Sequence, residues 1–128
     1  MSSFSRSAGV AILCFLLIPV TAFAQDKFFD SNGVRIRYVE QGNGDAIVLV
    51  HGFGVTLERW IASGVLPNLA RDYRVIAFDV RGHGKSGKPP DLNAYGREID
   101  LDAIRLLDHL RIQRAHIIGH SMGALRNY

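Results

Sequence analysis

The chain has 128 residues, of which 48% are hydrophobic and 21% charged, and its formal net charge is +3. This composition is that of an ordinary globular domain, and it argues against an intrinsically disordered chain. The length allows one domain at about 100–200 residues per domain. The basic residues are scattered and form no run, so nothing in the charge pattern points to a nucleic-acid-binding protein.

The first 24 residues have the pattern of a secretory signal peptide. Arg6 precedes the apolar run 8–18, and Ala22–Ala24 is a small-x-small cleavage site. The run is shorter than the roughly 20 apolar residues of a membrane-spanning helix. We therefore expect an exported protein, periplasmic or secreted, that begins at Gln25 and keeps no stable membrane span. A retained membrane anchor is the alternative.

The only cysteine, Cys14, lies within this leader. After cleavage the chain would have no disulfide, no thiol nucleophile and no cysteine-based metal site. His116 and His120 are four residues apart, but they lie on a predicted strand and in the turn after it, so no two of the five histidines share a helical face that could bind metal. The sequence thus predicts neither a metal nor an organic cofactor.

The first elements after the leader are predicted to form a β-hairpin. Residues 28–30 are a short apolar start, and Ser31-Asn32-Gly33 is a turn signal. Residues 34–39 then alternate apolar and basic side chains, which predicts a strand with one buried face and its basic side chains in solvent.

Three continuous apolar runs follow the hairpin, at 46–50, 75–78 and 116–118. The first two are rich in β-branched residues and uninterrupted, which is typical of parallel strands buried on both faces. Segments with helical spacing separate them. Strands that alternate with helices in this way predict an α/β fold with a parallel sheet and right-handed crossovers.

The two helical segments have different patterns. Apolar residues between 57 and 71 suit a helix that is interrupted near Gly64 and Pro67. Residues 94–110 place an apolar stripe on one helical face, with acidic residues such as Asp102 predicted to lie off that face. The glycine- and proline-rich segment 81–90 between them is predicted to be a loop.

The sequence Gly119-His120-Ser121-Met122-Gly123 has the G-x-S-x-G pattern between a strand and the start of a helix. In that context the pattern is typical of a nucleophile elbow, a tight turn that lifts the serine hydroxyl above the carboxyl end of a sheet. We predict that Ser121 is a nucleophile. The Met122 N–H would lie at the start of the next helix, where it can donate to a developing oxyanion.

A second segment supplies the other half of such a site. His51-Gly52-Phe53-Gly54 follows the strand 46–50. A backbone N–H after that strand is the expected second donor to the oxyanion, and we assign this role to the N–H of Phe53.

These segments together resemble the α/β-hydrolase family, in the subgroup of esterases, lipases, C–C bond hydrolases and cofactor-free haloperoxidase-like enzymes. Three blocks carry the resemblance: residues 51–53 with Trp60 downstream, residues 79–86, and residues 119–124. It extends over about residues 27–124. The resemblance implies a Ser121 nucleophile, oxyanion donors at Phe53 and Met122, and a covalent acyl-enzyme formed from a small ester-like substrate.

Related dehalogenases and epoxide hydrolases carry Asp at the nucleophile position, so Ser121 argues against both of those reactions. Asp79, at a predicted strand end, could be mistaken for the catalytic acid, but in this family the acid follows the nucleophile. We expect Asp79 to organise loops through hydrogen bonds to backbone. Gly84-Lys85-Ser86 resembles the end of a phosphate-binding loop, but that motif needs glycine where Asp79 stands.

The family's catalytic order is Ser, then Asp or Glu, then His. The seven residues after Ser121 contain no acid and no histidine. We therefore expect residues 25–128 to be a partial domain, the N-terminal half of an α/β-hydrolase fold truncated after the nucleophile elbow, with an open apolar sheet edge. A catalytically inactive product that acts as a binding protein is the alternative. The substrate and the oligomeric state are left open.

Overall fold

The apolar runs of the sequence form one mixed five-stranded sheet in the computed structural model, which describes residues 24–126 and 128. The spatial order is β1-β2-β4-β3-β5. The strands are β1 Lys27–Ser31, β2 Val34–Gln41, β3 Ala46–Val50, β4 Arg74–Phe78 and β5 Ala115–Gly119. The predicted α/β class with parallel strands is confirmed.

The register of the sheet brings three strand ends together. β1, β2 and β4 pair antiparallel in succession, whereas β3 pairs parallel with both β4 and β5. Val50 at the end of β3 is paired with Phe78 of β4 on one side and with Gly119 of β5 on the other. The loops that leave these three strands therefore start side by side, at the carboxyl ends of β3, β4 and β5.

The helices are α1 Glu58–Ala62, α2 Val65–Leu69 and α3 Arg97–His109, with short 3₁₀ helices at Leu92–Ala94 and Ser121–Leu125. The predicted interruption between α1 and α2 is confirmed at Gly64, whose φ is 79°. Pro67 does not break α2, because it lies in the first turn, where the missing N–H has no helical partner. The helix expected after Ser121 is a 3₁₀ helix.

Hydrophobic residues pack on both faces of the sheet. On one face, Ile99, Ala103 and Leu106 of α3 form a buried cluster with side chains of β1, β2, β3 and β4. Ile117 of β5 is only partly buried and packs against this cluster. On the other face the cluster consists of Val39, Ile47, Leu49, Leu57, Leu66, Val75 and Ala77. Trp60 packs against this second cluster.

Two charged residues are buried where the sequence predicted solvent exposure. Arg37 lies inward because β2 is an interior strand, covered on both faces, and not a strand with one free face. Asp102 is fully buried on α3 because Arg81 reaches it with two hydrogen bonds, Nε to Oδ2 at 2.7 Å and Nη2 to Oδ1 at 2.6 Å. A pattern of hydropathy cannot reveal such a partner, so both expectations were wrong.

β5 forms one edge of the sheet, and its outer edge is not paired with any strand among residues 24–126 and 128. Ile118 on this strand is 39% exposed. The predicted open apolar edge is thus present in this part of the chain.

The predicted leader lies outside the described residues except for Ala24, which packs against the second hydrophobic cluster, the one that contains Leu49.

Candidate active site

The turn that follows β5 has the strained backbone of a nucleophile elbow. Ser121 has a φ of 52°, which is uncommon for a residue with a side chain. His120 N–H donates to the Val50 carbonyl at 3.0 Å, and Gly123 N–H donates to the His120 carbonyl at 3.0 Å. These bonds fix the turn against the carboxyl end of β3. The Ser121 side chain is exposed at this end of the strands.

The glycines of the motif are required by close backbone approach. A Cβ on Gly119 would overlap the carbonyl of Gly123, and a Cβ on Gly123 would overlap the carbonyl of Val50. Neither glycine has a positive φ. The G-x-S-x-G spacing therefore lets the strand end, the turn and β3 pack against one another without side chains between them.

The β3–α1 loop (residues 51–57) lies beside this turn. A Cβ on Gly52 would stand 3.2 Å from the Ser121 Cβ. The next N–H along the chain is that of Phe53, whose side chain is 81% exposed. Met122 lies in the first turn of its 3₁₀ helix, where an N–H has no intrahelical acceptor. The structure thus brings Gly52 of the β3–α1 loop to Ser121, while the oxyanion role of the Phe53 and Met122 N–H groups stays a prediction.

His51 joins the loops that leave β3 and β4. Its Nε2 accepts the Val80 N–H at 3.0 Å, so the ring proton is on Nδ1, which donates to the Gly52 carbonyl at 2.7 Å. Burial lowers the pKa of His51, which favours this neutral form. Because both ring nitrogens are occupied, His51 shapes the site and is not free to act as a general base.

Asp79 performs the loop-organising role that the sequence predicts. Its carboxylate is fully buried, and it accepts the Leu57 N–H and the Lys85 N–H, each at 2.9 Å. Gly84 passes so close that a Cβ there would overlap the Asp79 carboxylate. The prediction that Asp79 bonds to backbone is confirmed.

The segment that resembles a phosphate-binding loop is also used in these contacts. Lys85 Nζ bonds to Asp26 at 2.5 Å, and Ser86 Oγ donates to the Asp79 carbonyl at 2.6 Å while accepting the Arg37 N–H at 2.9 Å. These side chains hold the loop that follows β4 (residues 79–91, the β4 loop) to the hairpin, which agrees with rejecting the nucleotide-binding interpretation.

Sequence reasoning missed Arg37, whose side chain is only 6% exposed. It bonds to Asp26, Glu58 and Asp79. These hydrogen bonds raise its pKa in spite of the desolvation that burial imposes. A basic residue in the middle of a strand that also carries Ile36 and Val39 was the available signal, but its acidic partners are far apart in the sequence.

Among the described residues, no hydrogen bond joins the Ser121 hydroxyl to a basic side chain, and both ring nitrogens of His51 are bonded to other groups. The same part of the chain holds no group of three or more His, Cys, Asp or Glu arranged to bind a metal ion. Within it, no helix has the length and apolar character needed to cross a membrane.

Comparison with known proteins identifies the family. The family model described as alpha/beta hydrolase fold matches residues 45–125. The chain is 45% identical over 96 residues to the dihydrolipoyllysine-residue acetyltransferase component of the acetoin cleaving system of Pseudomonas putida, covering 71% of this chain and 24% of that protein. It is 38% identical to fluoroacetate dehalogenase from a Burkholderia species, covering 76% of this chain and 33% of the relative.

The fold is similar to solved structures over the same region. The crystal structure of epoxide hydrolase A from Mycobacterium thermoresistibile superposes with a TM-score of 0.75 at 36% identity, covering 80% of this chain and 33% of that one. The chain thus spans about a quarter to a third of the length of the relatives named here. The matched segment contains both the β3–α1 loop and the nucleophile elbow, and the chain belongs to the α/β-hydrolase fold family.

Proposed function

We propose that this chain carries the nucleophile and oxyanion hole of an exported serine hydrolase that cleaves an ester or related acyl bond in a small molecule. The observation that carries the proposal is Ser121 in a strained elbow with Gly52, the residue before Phe53, packed beside it. An exposed hydroxyl above converging strand ends, next to a loop N–H, is the arrangement that acyl transfer requires.

In the proposed reaction the Ser121 Oγ attacks the substrate carbonyl carbon. The bond between carbon and Oγ forms as the carbonyl π electrons move to oxygen, and the N–H groups of Phe53 and Met122 donate to that oxyanion. Each such donor contributes about 10²–10³ in kcat in well-studied hydrolases. Collapse of the tetrahedral intermediate breaks the bond between that carbon and the leaving oxygen, which takes the proton that the general base removed from Ser121 and departs as an alcohol. Water then hydrolyses the acyl-enzyme and restores the serine.

The serine proton needs a general base, because a serine hydroxyl is a weak nucleophile at its ordinary pKa. In the family's order the orienting acid and the histidine follow the nucleophile. The proposal therefore assigns the base to a part of the whole protein other than the residues described here. His51 is unsuitable because both of its ring nitrogens are engaged.

The relatives act on different bonds, since their names include an acetyltransferase, a dehalogenase and an epoxide hydrolase. The chemistry of residue 121 favours acyl transfer among these. A carboxylate that opens an epoxide or displaces a halide forms an ester, which water can hydrolyse. A serine that did so would form an ether, which water does not cleave, and turnover would stop. Ser121 therefore supports an acyl substrate over an epoxide or an organohalide.

The test is labelling of the natural gene product with a fluorophosphonate, which reacts with activated serine hydroxyls. We expect one labelled site at Ser121 and no labelling of the Ser121→Ala variant. Ser63→Ala is the matched control, because Ser63 is an exposed serine at the end of α1 and should leave labelling unchanged. Equal labelling of Ser121→Ala would refute the proposal.

A parallel assay separates the reactions named for the relatives. We expect release of p-nitrophenol from p-nitrophenyl esters, and neither diol from styrene oxide nor fluoride from fluoroacetate. Turnover of either of the last two with no ester hydrolysis would contradict the acyl assignment. Export is tested by sequencing the N-terminus of the secreted or periplasmic form, for which the leader pattern predicts Gln25.

A further inference from the structure

We propose that Arg37 is a positioning residue for the oxyanion hole, acting through a group of charged side chains around its buried guanidinium that fixes one end of the β3–α1 loop. We call this group the Arg37 cluster; it consists of Asp26, Arg37, Glu58, Asp79 and Lys85. The inference rests on the proposed function, and its test includes a measurement that does not require activity.

The guanidinium of Arg37 lies at the centre of the cluster. Its Nε and Nη2 both reach Asp26 Oδ1, at 2.7 Å and 2.5 Å, and its Nη1 lies 2.5 Å from Glu58 Oε1 and 3.2 Å from Asp79 Oδ2. Three carboxylates from three separate segments thus share one planar cation. Such a fork binds several acceptors with fixed geometry, which a lysine ammonium does not reproduce.

Each carboxylate belongs to a segment that bears on the loop. Glu58 is the first residue of α1, directly after the loop. Asp79 accepts the N–H of Leu57, the last residue of the loop, at 2.9 Å. Asp26 precedes β1 and also receives Lys85 Nζ at 2.5 Å, which closes the cluster from the side of the β4 loop. The C-terminal end of the β3–α1 loop is therefore held by these contacts to the Arg37 cluster together with burial of the Leu57 side chain in the second hydrophobic cluster.

The other end of the loop is held differently. His51 is bonded to the Val80 N–H and to the Gly52 carbonyl, and Gly52 packs against the elbow. Between the two ends, Phe53 and Gly54 are exposed and Gly54 has a φ of 73°. Because the middle of the loop is exposed, we expect the position of the Phe53 N–H relative to Ser121 to depend on how the two buried ends are attached.

Loss of the Arg37 cluster should therefore affect the transition state more than substrate binding. A donor that forms its bond only to the oxyanion lowers kcat when displaced and leaves KM largely unchanged. Misplacement of a reacting or stabilising group by about 1 Å can lower the rate about 10²-fold. A role limited to global stability would instead reduce the fraction of folded enzyme without changing kcat per active site.

The experiment compares Arg37→Met, Arg37→Lys and Glu58→Gln in the natural gene product, with kcat and KM normalised to active sites titrated by the fluorophosphonate. We expect kcat to fall about 10–100-fold in Arg37→Met with KM changed less than about threefold. Arg37→Lys should recover little, because it lacks the planar fork. Glu58→Gln, which removes one exposed partner, is expected to fold normally and lower kcat in the same direction by a smaller factor.

Arg74→Met is the matched control. Arg74 also pairs with a carboxylate, Nε to Glu40 Oε1 at 2.6 Å, but it lies at the start of β4, away from the three converging strand ends. It should leave kcat per active site unchanged.

Hydrogen–deuterium exchange of residues 51–57 gives the readout that is independent of activity. Faster exchange in this loop in Arg37→Met or Glu58→Gln, and not in Arg74→Met, supports the inference. Unchanged loop exchange together with unchanged kcat overturns it. If the native protein is not labelled at Ser121, the proposed function fails, and the exchange measurement alone then decides whether Arg37 holds the loop.

Discussion

At Gly119 the neighbouring backbone, and not the dihedral angle, excludes a side chain. A Cβ there would overlap the carbonyl of Gly123. We expect Gly119→Ala to lower the free energy of unfolding by more than about 3 kcal/mol, because backbone must move to admit the methyl group. Urea unfolding measures this change.

Gly33→Ala is the control for that substitution. Gly33 has a φ of 84° but open space around its Cα, so alanine meets conformational strain alone. That strain costs about 1–2 kcal/mol. An equal loss in the two variants would show that steric overlap at the elbow is not what requires Gly119.

His51 predicts a pH dependence of stability. Burial lowers its pKa in the folded protein below the ordinary 6.5, so the unfolded chain binds a proton more readily. The stabilising contribution of neutral His51 is complete above pH 6.5 and is lost as the pH falls below that value. We expect the thermal midpoint to decrease from pH 7 to pH 5.5 in the native sequence.

The dependence should be much weaker in His51→Gln and unchanged in His116→Gln, since His116 is exposed on β5. The carboxylates with lowered pKa values, such as Asp26 and Glu58, have ordinary values of 3.8 and 4.5 and contribute at lower pH. A slope that survives in His51→Gln would assign the effect to another group.

The residues of the site differ in how far a sequence can reveal them. Ser121 and Asp79 could be placed from motif spacing and chain order, because each stands at a strand end in a recognisable block. Arg37 could not, since its partners Asp26, Glu58 and Asp79 meet it only after β1, β2 and β4 have paired. Ion pairs between distant segments depend on topology, which hydropathy does not encode.

At the scale of elements, α3 is attached to the sheet by a buried ion pair as well as by its apolar stripe. Asp102 of α3 binds Arg81 of the β4 loop and also receives Ser31 Oγ from the end of β1. Removing one partner of a buried pair leaves an unpaired charge and costs about 3–5 kcal/mol. We expect Asp102→Ala to lose that much stability in chemical denaturation.

Asp108→Ala is the comparison on the same helix. Asp108 is exposed, and surface substitutions of this kind change stability by about 0.5 kcal/mol or less. Replacing both members of the pair, in Arg81→Met with Asp102→Leu, should recover part of the loss, because no buried charge then remains without a partner. A small effect of Asp102→Ala would mean that water reaches this pair.

The elements themselves were largely predictable. The hairpin, the three apolar strands and the break at Gly64 follow from turn residues and continuous apolar runs. The strand order was not predictable from those patterns alone, because the insertion of β4 between β2 and β3 depends on pairing between segments far apart in the chain. That order is also what buries Arg37 on an interior strand.

At the scale of the whole molecule, the two edges of the sheet differ in character. On the β1 edge, Lys27 and Asp30 are exposed, and Arg35 lies over the ring of Phe28 at 3.6 Å. On the β5 edge, Ile118 is 39% exposed, and no described strand pairs beside it. Unpaired apolar edges promote association, whereas charged ones oppose it.

We therefore expect residues 25–128 expressed alone to self-associate, and Ile118→Lys to reduce that association. Ile104→Lys is the control, because Ile104 is exposed to a similar extent, 41%, but lies on α3 and not on a strand edge. Light scattering as a function of concentration measures the effect. Equal improvement by both lysines would indicate a general effect of charge and not a role of the β5 edge.

The position of β3 between β4 and β5 has a consequence for the order of events during synthesis. β1 to β4 are complete by Phe78, whereas Ala46 of β3 finds its partner Ala115 only after the whole α3 crossover has been made. Pairing across so long a stretch of chain is slow relative to local pairing. Until it occurs, the free side of β3 is an unpaired apolar edge, and we expect chaperone binding to be strongest between translation of β4 and docking of β5.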